Sequence, residues 1–276
     1  MSDRNVAIIG CGYVGTAVAK TWKPMGLSLT VTTTTPDRVS ELEPIADRVA
    51  IVRGDDPAGL ISVLRDCHCA LLSIGAKGGD YEQTYLKTAR TLVSIWPELP
   101  DLRQVIYTGS YGIYGDRTGA DVDETTPVLP ATDKHRILHQ TEETLLSASD
   151  DNHRVCILRL GGIYGPGRTL ARIFSRAAGS TRPGAGEEVT NWVHLDDIVG
   201  AIEFARDRQL QGIYNVVDDS HLLRRELIDR VCEQNGLAKV TWDGSRPSSR
   251  STNVRVSNQK LKDAGYSFVR PQIVLE

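Results

Sequence analysis

An apolar run that ends in a glycine-rich turn, close to the start of the chain, constrains the fold most strongly. Residues 6–9 read Val-Ala-Ile-Ile, and Gly10, Gly12 and Gly15 follow in the pattern Gly-x-Gly-x-x-Gly. In a strand–turn–helix unit the first glycine allows the tight turn, the second lets the backbone approach a pyrophosphate, and the third lets helix and strand pack closely. The helix N terminus then offers N–H groups and a positive dipole end to the phosphates. Because a second apolar strand follows Gly26, the pattern predicts a dinucleotide-binding unit, with a purely structural turn as the alternative.

Strand and helix patterns alternate along the first part of the chain. Apolar strands are predicted at 5–9, 27–33, 48–53, 69–74, 104–108 and 154–159. Helical periodicity is present near 13–23, 37–45, 57–65, 80–95 and 134–148, and later near 195–208 and 222–235. This alternation predicts an α/β fold, a doubly wound parallel Rossmann sheet with helices on both faces.

Glycine and proline become frequent after residue 160, and the elements become shorter. We therefore expect an NAD(P)-binding Rossmann domain over residues 1–160. Residues 161–276 are expected to form a mixed C-terminal region, which adds late sheet strands and a small substrate-binding lobe.

The composition limits the partners and the compartment. The net charge of -3 gives no reason to expect nucleic acid or an acidic membrane as a partner, which leaves a small-molecule substrate. No apolar run approaches the length of a membrane span, and the N terminus enters the first strand without a signal peptide. Five cysteines, an odd number, favour a reduced, cytoplasmic location. Cys67 and Cys69 lack a second ligand pair, so no metal site is predicted.

Several segments, taken together and in order, resemble a known family. They are the glycine turn and residues 105–115, 123–127, 159–167, 192–197 and 214–217. This set resembles the extended short-chain dehydrogenase/reductase family, the NAD(P)-dependent nucleotide-sugar epimerases and dehydratases. The resemblance implies an oxidoreductase or epimerase that acts on a small carbonyl or hydroxyl compound, with nucleotide-linked sugars among the candidates.

The chain departs from the family at the catalytic centre. The family carries a Tyr-x-x-x-Lys pair on the helix after the fifth strand, where the i, i+4 spacing puts both groups on one face. Pro130 and Glu142 fit the surrounding family pattern, but Lys134 stands in the tyrosine position and Leu138 in the lysine position. No Tyr-x-x-x-Lys occurs anywhere in the 276 residues. The resemblance therefore implies an atypical member.

Three residues are the candidate catalytic groups. Ser110 occupies the family's catalytic Ser/Thr position, where it would hydrogen-bond a substrate oxygen; capping the end of the strand is the alternative. Tyr111 follows it and could supply a phenol as proton donor. Lys134 could serve as the acid if it were desolvated, and is otherwise a surface lysine in the first turn of a helix.

The end of the second strand bears on the choice of coenzyme. An NAD site needs a carboxylate there for the ribose hydroxyls, but this position holds Thr33 and Thr34, with Arg38 after them. Hydroxyl donors and a guanidinium suit a 2′-phosphate, so NADP is predicted over NAD. Asp37 could be a displaced ribose-binding acid, which keeps NAD open as the alternative.

Further coenzyme contacts are expected at the ends of the third and fourth strands. The resemblance places Asp55 near the adenine, and Ser73 and Gly75 are expected to line the coenzyme with their backbone. The full predicted coenzyme set is Gly10, Gly12, Tyr13, Val14, Gly15, Thr33, Thr34, Arg38, Asp55, Ser73 and Gly75.

Three questions stay open at the level of the sequence: whether the protein is catalytically active, its oligomeric state and the role of four arginines. The missing Tyr-Lys pair motivates a second hypothesis, a catalytically silent NADP(H)-binding protein with a redox-sensing or regulatory role. The oligomeric state is open as well: members of the family often form homodimers through a helix pair, and the departures near residues 134–142 could weaken that helix face. Four arginines could bind a phosphate-bearing substrate or simply form a solvated face: Arg168, Arg172, Arg176 and Arg182.

Overall fold

The computed structural model describes residues 4–76 and 79–275. The strands are β1 (Asn5–Ile9), β2 (Ser28–Thr33), β3 (Arg48–Ile51), β4 (Cys69–Leu72), β5 (Gln104–Ser110), β6 (Asp116–Val122), β7 (Arg154–Leu160), β8 (Gly162–Tyr164), β9 (Thr181–Pro183), β10 (Trp192–His194), β11 (Gly212–Val216), β12 (Thr241–Asp243) and β13 (Asn253–Val256). The helices are α1 (Tyr13–Trp22), α2 (Val39–Leu42), α3 (Pro57–Leu64), α4 (Lys87–Ile95), α5 (Asp133–Leu146), α6 (Leu170–Phe174), α7 (Leu195–Asp207), α8 (Arg224–Gln234) and α9 (Gln259–Asp263).

A seven-stranded parallel sheet forms the centre of the fold, in the order β11-β7-β5-β4-β1-β2-β3. The strand order reverses between β1 and β4, which is the switch point where open α/β sheets bind their ligands. The central strands β1 and β4 are short, apolar and almost completely buried, as expected for strands covered on both faces. The predicted α/β class and parallel sheet are confirmed.

Alternation along β1 directs neighbouring side chains to opposite faces of the sheet. Ala7 and Ile9 belong to a core cluster with apolar residues of α3 and α4. Ile8 faces the other way, towards α1, because a Cβ added at Gly15 of that helix would lie 3.1 Å from its side chain. Helices therefore cover both faces, and each fully buried Leu or Ile contributes about 1.5–3 kcal/mol to folding.

Two of the predicted helices are interrupted. The helix expected near 37–45 is a four-residue α2 between short 3-10 turns at Pro36–Arg38 and Glu43–Ile45. Pro36 and Pro44 stand in these turns, and a proline lacks the N–H that continues a helix. The helix expected near 80–95 starts with a π-helical turn, Glu82–Leu86, before α4.

Contacts between Cα atoms divide the chain into two compact units. Unit 1 contains residues 1–109, 133–159 and 199–214, and includes most of the parallel sheet. Unit 2 contains residues 110–132, 160–198 and 215–276. The boundary predicted between residues 160 and 161 stays a prediction.

Unit 2 is built on three small parallel pairs of strands. The pairs are β8 with β10, β9 with β12, and β6 with β13. Buried Tyr114, Val122, Val254 and Val256 pack around the last pair. Each pair joins segments that are distant in the sequence, so unit 2 depends on long-range contacts.

Three observations concern membrane spans, metal ligands and cysteines. None of the helices in the described ranges is long and apolar enough to cross a membrane. Within the same ranges, no three His, Cys, Asp or Glu side chains come together in a group that could hold a metal ion. All five cysteines are buried, and none of them forms a disulfide bond in the described structure.

Candidate coenzyme and catalytic site

The glycine turn between β1 and α1 has the geometry that its pattern predicted. Gly10 has φ +86°, and a Cβ there would lie 2.8 Å from both Ile74 Cγ2 and the Ser73 carbonyl oxygen. A Cβ at Gly15 would lie 2.8 Å from the Gly10 carbonyl oxygen, so this glycine lets α1 pack on the turn. A Cβ at Gly12 would meet nothing within 4 Å. Gly12 thus leaves open space beside the backbone, which is where a diphosphate must approach.

Thr32 of β2 holds this turn in place and was not identified from the sequence. The Gly10 N–H donates to Thr32 Oγ1 at 2.9 Å, and the Cys11 N–H donates to the Thr32 carbonyl at 2.9 Å. Thr32 itself is buried. The turn is therefore pre-formed by contacts within the protein.

The N terminus of α1 fits a diphosphate group. Its N-cap residue, Gly12, makes no side-chain cap hydrogen bond, and the first turn carries no acidic residue. A helix start without a carboxylate or hydroxyl cap keeps its positive dipole end for an external anion. Tyr13 and Val14 begin this helix; Tyr13 is exposed, whereas Val14 is buried in the core.

Arg38 lies against the glycine turn. Its Nη1 donates to the Cys11 carbonyl, and its Nη2 is 3.4 Å from Thr16 Oγ1, in α1. Its Nε forms an ion pair of 3.1 Å with Glu41, which is exposed. A guanidinium therefore lies beside the glycine turn, and the preference for NADP stays a prediction.

The two threonines at the end of β2 differ in their surroundings. Thr33 is buried, and its hydroxyl accepts a hydrogen bond from the Thr35 N–H at 3.1 Å. Thr34 is exposed. Thr35 stands at the N-cap of the following turn, and its side chain makes no cap hydrogen bond. Of the two, only Thr34 has its hydroxyl on the surface.

The residues expected at the ends of β3 and β4 also lie in unit 1. Asp55 pairs with Arg53 at 3.1 Å and with Lys87 at 3.5 Å, and it accepts a hydrogen bond from Gln83. Ser73 is buried, and its N–H donates to the Ile9 carbonyl at 2.9 Å. A Cβ at Gly75 would meet nothing within 4 Å, so its backbone is accessible.

Asp56, next to Asp55, has a structural role. Its carboxylate accepts a hydrogen bond from the Gly59 N–H at 3.1 Å and caps α3, which starts at Pro57.

Ser110 and Tyr111 both lie in unit 2. Ser110 Oγ accepts a hydrogen bond from the Gly112 N–H at 3.1 Å and so caps the short helical turn Tyr111–Tyr114. Arg250 Nη2 donates to the Tyr111 hydroxyl at 3.1 Å. Both side chains are partly exposed. Arg250 is a candidate site residue that the sequence did not indicate, because 139 positions separate it from Tyr111.

Lys134, the third catalytic candidate, lies on the surface of unit 1. Its Nζ is 5.2 Å from the centre of the Tyr81 ring, a cation–π contact. Leu138, one turn further along α5, is buried. The surroundings of Lys134 match the surface alternative rather than a desolvated acid.

Glu142 and Arg159 form a buried ion pair in unit 1. Arg159 Nη2 lies 2.8 Å from Glu142 Oε2, and both side chains have almost no solvent exposure. Burial raises the pKa of Glu142, and the Arg159 charge opposes this shift. The guanidinium of Arg159 is therefore engaged in holding α5 on the sheet.

Residues of the later family segments hold unit 2 together. The Val274 N–H donates to the Tyr164 hydroxyl at 2.9 Å, and burial raises the pKa of Tyr164 to about 12. The fully buried Asp197 accepts hydrogen bonds from the Tyr266 hydroxyl and the Val269 N–H. His194 accepts a hydrogen bond from the Asp196 N–H at 3.1 Å. These contacts give Tyr164, Asp197 and His194 structural roles within unit 2.

The comparisons with known proteins agree with this geometry. The model of the NAD dependent epimerase/dehydratase family matches residues 6–216. The chain belongs to this family. Curated relatives match this chain over nearly its full length. Protein YeeZ of Escherichia coli K12 is 31% identical over 280 residues, which cover 97% of each chain.

Two solved structures illustrate the shared fold. UDP-glucose 4-epimerase of Thermus thermophilus, in complex with NAD, has a TM-score of 0.80 and 19% identity, over 98% of this chain and 94% of that one. A functionally unknown conserved protein from Silicibacter pomeroyi has a TM-score of 0.79 and 24% identity, over 97% and 94% of the two chains. At these identities the likeness concerns the fold.

Proposed function

We propose that this protein is an NADP-dependent oxidoreductase or epimerase-like enzyme with a non-standard proton donor. Its substrate would be a small carbonyl or hydroxyl compound, with nucleotide sugars among the candidates. The observation that carries this proposal is the open face of Gly12 beside the uncapped start of α1. A turn with a purely structural role would have no need for a glycine at a position where a Cβ meets nothing.

The diphosphate of the coenzyme would be held by the backbone of the glycine turn and the start of α1. Arg38 would contact the 2′-phosphate, together with the exposed hydroxyl of Thr34. Asp55 would lie near the adenine, and the backbone at Ser73 and Gly75 would line the coenzyme. The solved structure of the Thermus thermophilus epimerase is a complex with NAD, so NAD remains the alternative coenzyme.

The bound nicotinamide would supply or accept the hydride. Ser110 would orient the substrate oxygen, because its hydroxyl hydrogen remains available when its Oγ accepts from Gly112. Tyr111 would transfer the proton. Arg250, which donates to the Tyr111 hydroxyl at 3.1 Å, would hold the phenol in position.

We favour Tyr111 over Lys134 as the proton donor. Lys134 is exposed and stacks on Tyr81, so it resembles an ordinary surface lysine. In the Tyr-x-x-x-Lys pair of the family a cation lies beside a phenol, and Arg250 beside Tyr111 restores that combination from other positions.

A panel of carbonyl compounds, assayed by NADPH oxidation, tests this function. With any substrate that is turned over, Tyr111→Phe should lower kcat by about 10²–10⁴-fold, the usual contribution of a general acid. Ser110→Ala should also lower kcat, whereas Lys134→Gln should retain it. Full activity of both Ser110→Ala and Tyr111→Phe would show that the site is placed wrongly.

The second candidate function is a catalytically silent NADP(H)-binding protein that senses redox state. The observation that favours it is Leu138, which is buried at the position of the family's lysine. Tight coenzyme binding without turnover of any compound in the panel would support this alternative.

We further propose a cytoplasmic location and a homodimer, and light scattering of the purified protein would test the homodimer.

A further inference from the structure

Three arginines of unit 2 lie in the region of Trp242 and Glu188. Arg182 lies in β9, Arg224 starts α8, and Arg250 follows β12; we call them the arginine cluster. The guanidinium of Arg224 lies over the Trp242 ring, 5.2 Å from its centre. Burial lowers the pKa of Arg224, and the nearby charges of Arg250 and Arg182 lower it further. Backbone contacts agree with this grouping. Arg182 pairs in register with Trp242, the Arg224 N–H donates to the Glu188 carbonyl at 2.9 Å, and the Arg250 N–H donates at 3.2 Å to the Oγ of Ser248, which itself contacts Glu188. The three arginines therefore belong to one partly buried region.

Several hydrogen-bond donors of this group are buried without an acceptor in the described part of the chain. They are Arg224 Nη1, Arg182 Nε and Trp242 Nε1. A buried donor left without an acceptor is destabilising, and native proteins carry few of them. Three such donors in one cluster indicate that an acceptor from outside the chain belongs there.

The local charge balance is positive. The negative charge of Glu188 raises the pKa of Arg224. It is opposed by the three guanidinium groups of the cluster. Its Oε1 accepts from the Ser248 hydroxyl, and its Oε2 is buried without a partner in the described ranges. An anion would neutralise the excess positive charge, and a hydroxyl on the same ligand would satisfy Glu188 Oε2.

Arg250 connects the cluster to the candidate proton donor. The Arg250 N–H donates to Ser248 Oγ beside Glu188, and its guanidinium donates to the Tyr111 hydroxyl at 3.1 Å. A ligand whose anionic group bound the cluster would therefore extend towards Tyr111 from a fixed end.

We propose that Arg182, Arg224 and Arg250, with the indole N–H of Trp242, bind the phosphate or carboxylate group of an anionic ligand. That this ligand is the substrate rests on the function proposed above. The arginines expected from the sequence for this role contribute in part: Arg182 belongs to the cluster, whereas Arg168 and Arg172 donate to carbonyls of their own loop.

Calorimetric titration of the full-length protein with inorganic phosphate, and separately with acetate, tests the anion site. The ionic strength is held constant with chloride, because surface charges respond to salt alone. The test variant is Arg224→Gln, with Arg182→Gln as a second variant. Arg225→Gln is the matched control, because Arg225 is the next residue of α8 and pairs on the surface with Glu187.

We expect saturable binding of at least one anion, weakened at least about tenfold by Arg224→Gln and by Arg182→Gln and unchanged by Arg225→Gln. Preference for phosphate or for acetate identifies the group that the site takes. Absence of saturable binding, or equal binding by Arg224→Gln, Arg182→Gln and Arg225→Gln, overturns the proposal. Circular dichroism and thermal unfolding in chloride show whether each variant is folded.

Titration of the same variants with NADPH separates this proposal from the proposed function. Arg224→Gln should keep the coenzyme affinity of the wild type, because the coenzyme residues named above lie in unit 1. Anion binding in a protein that binds no coenzyme would contradict the proposed function alone. Coenzyme binding without anion binding would contradict the anion site alone.

Discussion

The Gly10 N–H donates to the Thr32 hydroxyl at 2.9 Å, and this bond ties the glycine turn to the neighbouring strand. We predict that Thr32→Val, which keeps the side-chain shape, leaves the Gly10 N–H unpaired and costs about 1–3 kcal/mol of unfolding free energy. Coenzyme affinity should fall as well, because the turn loses its support. Thr30→Val on the same strand is the control. Equal stability and affinity of the two variants would contradict this role of Thr32.

Gly12 and Gly10 should respond in opposite ways to alanine. Gly12→Ala places its methyl group in open space, so the thermal midpoint should stay close to that of the wild type. The methyl group would occupy the approach to the diphosphate, so coenzyme affinity should fall at least about tenfold. Gly10→Ala should instead unfold at a lower temperature, because φ is +86° and its Cβ meets Ile74. Unchanged coenzyme affinity in a folded Gly12→Ala variant would contradict the proposed approach of the diphosphate.

The buried pair of Glu142 and Arg159 should be important for stability. Glu142→Gln leaves the Arg159 charge buried without its counter-charge, which typically costs about 3–5 kcal/mol. The control is Glu143→Gln, because Glu143 is exposed and its removal should change stability by less than about 0.5 kcal/mol. Urea unfolding measures both variants. A similar effect of the two substitutions would show that the pair contributes little.

Asp218 should make the protein less stable as the pH rises. Burial raises its pKa from 3.8 to about 7, so the folded state holds a proton that the unfolded state has released. Stability from this group is therefore greatest below about pH 4 and is lost as the pH rises to about 7. We predict that Asp218→Asn, which stays neutral, matches the wild type near pH 4 and is more stable above about pH 7. Thermal unfolding across this range provides the measurement.

The neighbouring Asp219 provides the control with the opposite sign. Burial acts to raise its pKa, but hydrogen bonds from Lys262 and Asn258 outweigh this effect and lower it. Asp219→Asn should therefore destabilise the protein at neutral pH and have less effect in acid. If Asp218→Asn and Asp219→Asn shift stability in the same direction at neutral pH, the assignment of charge states is wrong.

Local patterns were sufficient to predict most of the parallel sheet. Each of β1, β4 and β7 contains a continuous apolar run, which is typical of a strand buried on both faces of a parallel sheet. The glycine spacing predicted the turn between β1 and α1, because the positive φ of Gly10 and the contact of Gly15 with the Gly10 carbonyl are both local. Proline-interrupted segments were harder, as α2 illustrates.

The parts that sequence reasoning missed depend on long-range contacts. Arg250 and Tyr111 are 139 positions apart, and no local spacing relates them. Thr32 was closer to prediction, because it belongs to the strand beside β1, but its bond to Gly10 depends on strand register. Lys134 is the opposite case. Its place in the family pattern suggested a catalytic role, but its side chain is exposed to solvent, which does not support that role.

Titration of the purified protein with NADPH and with NADH tests the central claim most directly. We predict that both bind, that NADPH binds more tightly, and that Arg38→Gln reduces the preference by at least about tenfold, because Arg38 would contact the 2′-phosphate. Tighter binding of NADH would contradict the coenzyme assignment. Binding of neither nucleotide at millimolar concentration would contradict the account as a whole, because the glycine turn would then hold no diphosphate.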